Sequence, residues 1–104
     1  MLLNEERIIL GKVETLPCYH GTRGTTMFRT PDSIDEMDAH CSAHSHIWFR
    51  TIRGDARQAK VNGAVRRWKR DRTRIEVPVK YGLRECYTMT QFDISRVLIP
   101  VSTV

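Results

Sequence analysis

Hydrophobic and polar positions change period along this chain. Arg7 to Leu16 is rich in β-branched and apolar residues and ends at Pro17, which predicts a first strand. Residues 18–32 (CYHGTRGTTMFRTPD) hold two glycines, a proline and several threonines, and predict a long loop. Ser33 followed by Glu36 has the spacing of a capping box. Ile34, Met37 and Cys41 then recur at helical intervals, so a short acidic helix is expected over 33–42. From His44 onward the pattern turns to strands. His46 to Ile52 is aromatic and β-branched, and Asn62-Gly63 between Lys60-Val61 and Ala64-Val65 predicts a type I′ hairpin. Ile75, Val77, Val79 and Tyr81 alternate against Glu76 and Lys80, with Pro78 on the outward face marking an edge or a bulge. Gly82 allows a turn, and Arg84 to Met89 reads as a further strand. Thr90 and Asp93 cap a helical turn through Gln91–Ser95, and Val97 to Val101 closes the series.

Five or six short strands with one helical turn before the last resemble a small antiparallel SH3-like barrel; an OB-like barrel is the alternative. The expected fold is therefore mainly β with one or two short helices. No internal repeat or Pro/Gly/Ser linker divides the chain, so residues 1–104 are read as a single domain. The barrel core is placed at 44–101, with 18–43 as an inserted loop plus acidic helix. The stretch VNGAVRRWKRDRTRIEVPVKYGL, residues 61–83, also resembles a segment of small uncharacterised phage or mobile-element proteins. That resemblance brings no assigned activity.

Composition narrows the class. Apolar residues are 40% and charged residues 28% of the chain, which fits a globular domain and argues against disorder. The longest apolar runs, Ile8-Ile9-Leu10 and Val97-Leu98-Ile99, are too short to span a membrane, so no membrane partner is expected. Met1-Leu2-Leu3 followed by Asn4, Glu5 and Glu6 is unlike a secretory signal. A cytoplasmic setting is expected, that of a bacterial host if the protein is phage-encoded, with the three cysteines as thiols or metal ligands.

Charge is distributed unevenly. The net charge is +5, yet residues 1–46 carry four basic and seven acidic side chains, while residues 47–84 carry twelve basic and three acidic. Thirteen of the seventeen cations are arginine, whose planar fork matches phosphate bidentately and stacks on bases. The densest run is Arg66-Arg67-Trp68-Lys69-Arg70-Asp71-Arg72-Thr73-Arg74. A strand over 64–70 would put Arg66, Trp68 and Arg70 on one face, as a stacking platform between phosphate-binding groups. Arg50, Arg53, Arg57 and Lys60 are expected to join this patch through strand pairing. The bland alternative makes Trp68 core and the arginines a solvated face.

All four histidines and two cysteines fall between positions 18 and 46. Cys18, His20, Cys41 and His44, with His40 or His46 as substitutes, form a candidate structural zinc set of two close pairs. His40, His44, His46 and Asp38 would suit a hydrolytic metal with an open position. The bland alternative treats them as ordinary loop and strand residues, with Cys41 in a helix core and Cys86 as a small buried hydrophobe. No glycine-rich phosphate loop, G-x-S-x-G or H-E-x-x-H is present.

The leading expectation is thus a non-catalytic nucleic-acid-binding β-barrel, for DNA or RNA, using Arg50, Arg53, Arg66, Arg67, Trp68, Lys69, Arg70, Arg72 and Arg74. The alternatives are a phage-type protein-binding module and a metal-dependent nuclease. The module would inhibit a host complex or serve in a virion, engaging an acidic protein or the acidic segment 32–38 of a second copy.

Overall fold

A computed structural model describes residues 11–20, 22–80 and 87–101, and among these the chain forms eight strands and one helix. Strands β1 (Val13–His20) and β2 (Thr22–Arg29) pair antiparallel along their whole length. Phe28 and Arg29 of β2 pair with Pro100 and Ile99 of the last strand, β8 (Val97–Pro100). Through Leu98 and Val97, β8 pairs with Trp48 and Phe49 of β3 (His46–Arg50). In turn β3 pairs along its length with β4 (Ala56–Val61). A parallel contact between Ala56 of β4 and Cys18 of β1 completes a closed barrel of five strands. This is the small SH3- or OB-like barrel that the strand pattern predicts.

Around this ring the alternation of side chains builds two cores. Leu16, Cys18, Phe28, Ala56 and Leu98 fill the barrel, with Trp48 packed against them and its ring centroid 5.3 Å from that of Phe28. The neighbouring positions Ile47 and Val97 point the other way, into a second core under the helix α1 (Ile34–Ala43). There Met37 and Cys41 of α1 meet Ala59, Ile94 and the buried face of β6 (Arg74–Lys80): Ile75, Val77 and Val79. β3 and β8 are walls between two cores, which is why both read as continuous apolar runs. Each fully buried side chain of this size contributes about 1.5–3 kcal/mol over leaving it in water.

The helix begins as its sequence predicts. Ser33 is the N-cap, and its Oγ accepts the Glu36 amide at 3.1 Å. The capping box is not reciprocal, since the Glu36 carboxylate takes the Asp32 amide at 2.7 Å and a bidentate grip from Arg29 at 2.7 and 2.8 Å. Arg29 and Asp32 together hold the Glu36 carboxyl down at about 2, and so tie α1 to the end of β2.

Several sequence expectations are corrected. Residues 18–20 and 22–29 are barrel staves, not an inserted loop. Pro17 sits exposed inside β1 opposite Thr25, and Gly24 lies within β2 opposite Cys18. The part of the first predicted strand before Gly11 lies outside the described residues. The Asn62-Gly63 turn is not type I′, because no non-glycine residue among those described has positive φ. The Asn62 amide donates instead to the Pro78 carbonyl at 2.7 Å, and β4 pairs with β6 through Lys60↔Lys80 and Val61↔Val79. Gly63 is needed for close approach, since a Cβ there would lie 2.8 Å from Pro78 Cγ. β5 is only Arg66–Arg67 and pairs with Ile75 and Glu76 of β6. Pro78 is not at an edge, because β7 (Tyr87–Asp93) flanks β6 on its other side. The helical turn expected over 91–95 is strand through Asp93, since pairing with β6 outweighs one weak cap. Tyr81, Gly82 and Cys86 lie outside the described residues.

Candidate functional site

The two ends of this sheet treat their arginines differently. The β3–β4 turn carries Arg50, Arg53 and Arg57. Arg50 is bonded to Glu14, and its carbonyl accepts from Arg96 Nε at 3.2 Å. Arg57 Nε donates to Asp55 at 2.8 Å, and Thr51 caps the same carboxylate. Arg53 projects into solvent beside Ile52, which is 99% exposed.

From that turn β4 runs away to Val61, and β6 continues beyond it to Arg74. Residues 66–74 therefore sit at the opposite end of the sheet from the turn. The expected union of Arg50, Arg53 and Arg57 with the dense basic run does not form; only Lys60, beside Lys80 in the register, lies toward it.

At the far end, the expected strand over 64–70 stops at Arg67. Beyond it the Trp68 amide donates to the Arg74 carbonyl at 3.3 Å, and residues 69–73 form a turn. Asp71 organises that turn, accepting the Thr73 amide at 2.9 Å and hydroxyl at 2.6 Å, with Arg74 Nε at 3.1 Å on its other oxygen. These bonds hold the Asp71 carboxyl below its ordinary range, the Thr73 hydroxyl contributing most.

Trp68 consequently keeps company with Arg67, Arg72 and Arg74 instead of sharing a strand face with Arg66 and Arg70. These four side chains and Ile34, the first residue of α1, line a cleft of about 280 Å³ between the helix and the β5–β6 turn. The buried Trp68 Nε1 has no hydrogen-bond partner, the one such side-chain atom among the described residues. Arg67 is held against α1 by Asp35 at 2.7 Å and Asp38 at 2.6 Å. Arg66, Lys69, Arg70 and Arg72 are exposed and make no ion pair among the described residues, although Arg66 lies opposite Glu76 in the register. Repulsion among close like charges is thus only partly relieved within the chain.

Comparison with family models, with curated proteins and with solved structures finds no match.

The candidate zinc set is not assembled. Cys18 lies inside the barrel, 3.2 Å from the Thr26 hydroxyl, while Cys41 lies in the other core, across the sheet. Burial pushes the Cys41 thiol up to about 12, which leaves little thiolate for a metal or for nucleophilic attack. His44 is exposed, and the His20 side chain lies outside what is described. Among the described residues no three His, Cys, Asp or Glu side chains converge as metal ligands. Asp38, which the hydrolytic arrangement requires, is occupied by Arg67 and by the Ser42 hydroxyl at 3.1 Å.

His40, His44 and His46 do share a shallow groove with Trp48, Gln58, Ile99 and Pro100. The His40 and His44 rings stack with centroids 4.4 Å apart, and the His40 carbonyl lies 2.8 Å from His44 Nδ1. Burial, with His44 nearby, lowers the His40 pKa.

Sequence reasoning missed Ile34 as a wall of the cleft, because helical spacing assigns it to the core. It also missed Asp35 and Asp38 as partners of Arg67. The opposed charge of the two segments was the only sign of that contact. No helix among the described residues is long and apolar enough to cross a membrane.

Proposed function

We propose that this chain is a non-catalytic nucleic-acid-binding β-barrel whose contact surface is the cationic end of the sheet, around Trp68. The observation that carries the reading is the excess of cations there. Six of them, Arg66, Arg67, Lys69, Arg70, Arg72 and Arg74, fall within nine residues, three of these (Arg67, Arg72 and Arg74) line the cleft with Trp68, and among the described residues the carboxylates ion-paired to the six are Asp35, Asp38 and Asp71. A solvated face has no need to concentrate like charges, whereas a phosphate backbone releases its counterions on meeting them. The guanidinium forks position phosphates without reading sequence, so broad specificity is expected.

Arg50 and Arg57 have no part in this reading, being matched to their own carboxylates. The acidic-partner reading draws on the same cations, but a protein surface does not reward an aromatic sunk among guanidiniums as a base does.

The test is the affinity of the purified, nuclease-treated protein for labelled oligonucleotides across a salt series. Engagement of four to six phosphates on a single strand gives a slope of roughly −3 to −4 in log affinity against log salt. A flat dependence, or no binding at low salt, removes the reading.

A further inference from the structure

We infer that the cleft beside Trp68 takes one unstacked base, so that the preferred ligand is single-stranded nucleic acid rather than duplex. The inference rests on the nucleic-acid reading above and adds the class of strand. Three observations carry it.

The first is the chemistry of the walls. Ile34 and the indole of Trp68 supply apolar and aromatic surface, while the guanidiniums of Arg67, Arg72 and Arg74 lie at the same cleft. A base needs a flat face to stack on, and the phosphate attached to it needs a cation within a few ångströms. Aromatic and arginine surfaces both serve as stacking planes.

The second is size. At about 280 Å³ the cleft falls just below the range of about 300–1,000 Å³ that drug-sized ligands occupy. It has room for a planar ring system the size of a base. A duplex keeps its bases paired and stacked, so filling the cleft requires extruding one, at a cost of a few kcal/mol. A single strand incurs much less of this.

The third is the indole N–H, which has no acceptor among the described residues. A buried donor left unpaired costs about 1–3 kcal/mol. That donor lies in the ring plane, so its acceptor must come from the ring edge, as a sugar or phosphate oxygen of the bound strand beside the stacked base. The cleft is also pre-shaped: Asp35 and Asp38 hold Arg67 against the helix, and Asp71 holds Arg74 at the turn. Arg66, Lys69 and Arg70 are left outside it for flanking phosphates.

The deciding experiment compares fluorescence-anisotropy affinities of the full chain for four labelled probes with equal numbers of phosphates. These are oligothymidylate, oligouridylate, an abasic strand and a hairpin duplex. Based strands are expected to bind about tenfold or more tightly than the abasic strand, the equivalent of stacking one base. Trp68→Ala should bring based strands down to the abasic level without weakening the abasic probe. Trp68→Phe should retain most of the gap by keeping a stacking face. Equal, salt-sensitive binding of based and abasic strands overturns the base slot and leaves the nucleic-acid reading standing, as does tighter binding of the duplex. Failure of every probe to bind overturns both. The wild-type comparison decides the matter even if Trp68→Ala does not fold.

Discussion

At the β3–β4 turn, Arg50 and Arg57 each face a carboxylate, from Glu14 (shared with Lys12) and Asp55, and the turn closes on itself through Thr51 and Asp55. At the opposite end of the sheet the helix lends two carboxylates to Arg67 alone, and Arg66, Lys69, Arg70 and Arg72 face water. The two regions have similar residue types and opposite electrostatic outcomes. Arginine count therefore says little about a binding surface; what matters is whether local turn geometry delivers an acid to each guanidinium. Asp55 lies two residues from Arg57 and reaches it. Asp71, two residues from Lys69 and one from Arg70 and Arg72, is spent on Thr73 and Arg74.

The largest expected effect comes from removing the unpaired cations. Arg66→Ala with Arg70→Ala and Arg72→Ala should lower oligonucleotide affinity at low salt by more than about tenfold and reduce the salt slope by roughly 2. Arg53→Ala with Arg57→Ala at the other end should change affinity less than about twofold. Equal losses from the two variants would erase the contrast between the ends.

Next in size is the release of Arg67. Asp35→Asn with Asp38→Asn frees a guanidinium from two exposed ion pairs that solvent already screens. Oligonucleotide affinity should rise roughly two- to fivefold at low salt. Asp32→Asn, an exposed acid with no contact to the patch in the structure, is the charge control. A fall in affinity would mean that the preorganisation these carboxylates give Arg67 outweighs the charge they cancel.

A smaller effect is expected from pH. The Glu36 carboxyl, at about 2 against an ordinary value near 4.5, stabilises the fold fully above about pH 5 and loses that contribution as pH falls toward 2. Thermal denaturation of Glu36→Gln should accordingly vary less with pH over that window than the wild type. Parallel curves would mean that Arg29 does not anchor the helix wall of the cleft through this carboxylate.

The smallest effect is expected from Lys12→Ala, which removes a 3.6 Å exposed pair with Glu14. Stability should change by under about 1 kcal/mol and oligonucleotide affinity hardly at all.

Local chemistry alone determined the helix and the buried stripe of β6. Ser33 caps its own helix three residues on, and Ile75, Val77 and Val79 alternate because one face of a strand must leave water. The concentration of cations at 66–74 was equally legible, being a property of adjacent residues. Tertiary structure alone decided the rest, because each remaining feature depends on a partner distant along the chain. Residues 18–20 and 22–29, rich in loop-forming residues, become two barrel staves only because β1 pairs with β4 and β2 with β8. Asn62-Gly63 forgoes the hairpin turn because Pro78 offers a carbonyl and demands a missing Cβ. Cys18 and Cys41 enter different cores on opposite sides of one sheet, and sequence spacing carries no record of that sheet. The cleft at Trp68 exists because Ile34 of a helix and Arg74 of a strand, forty residues apart, close on the same indole.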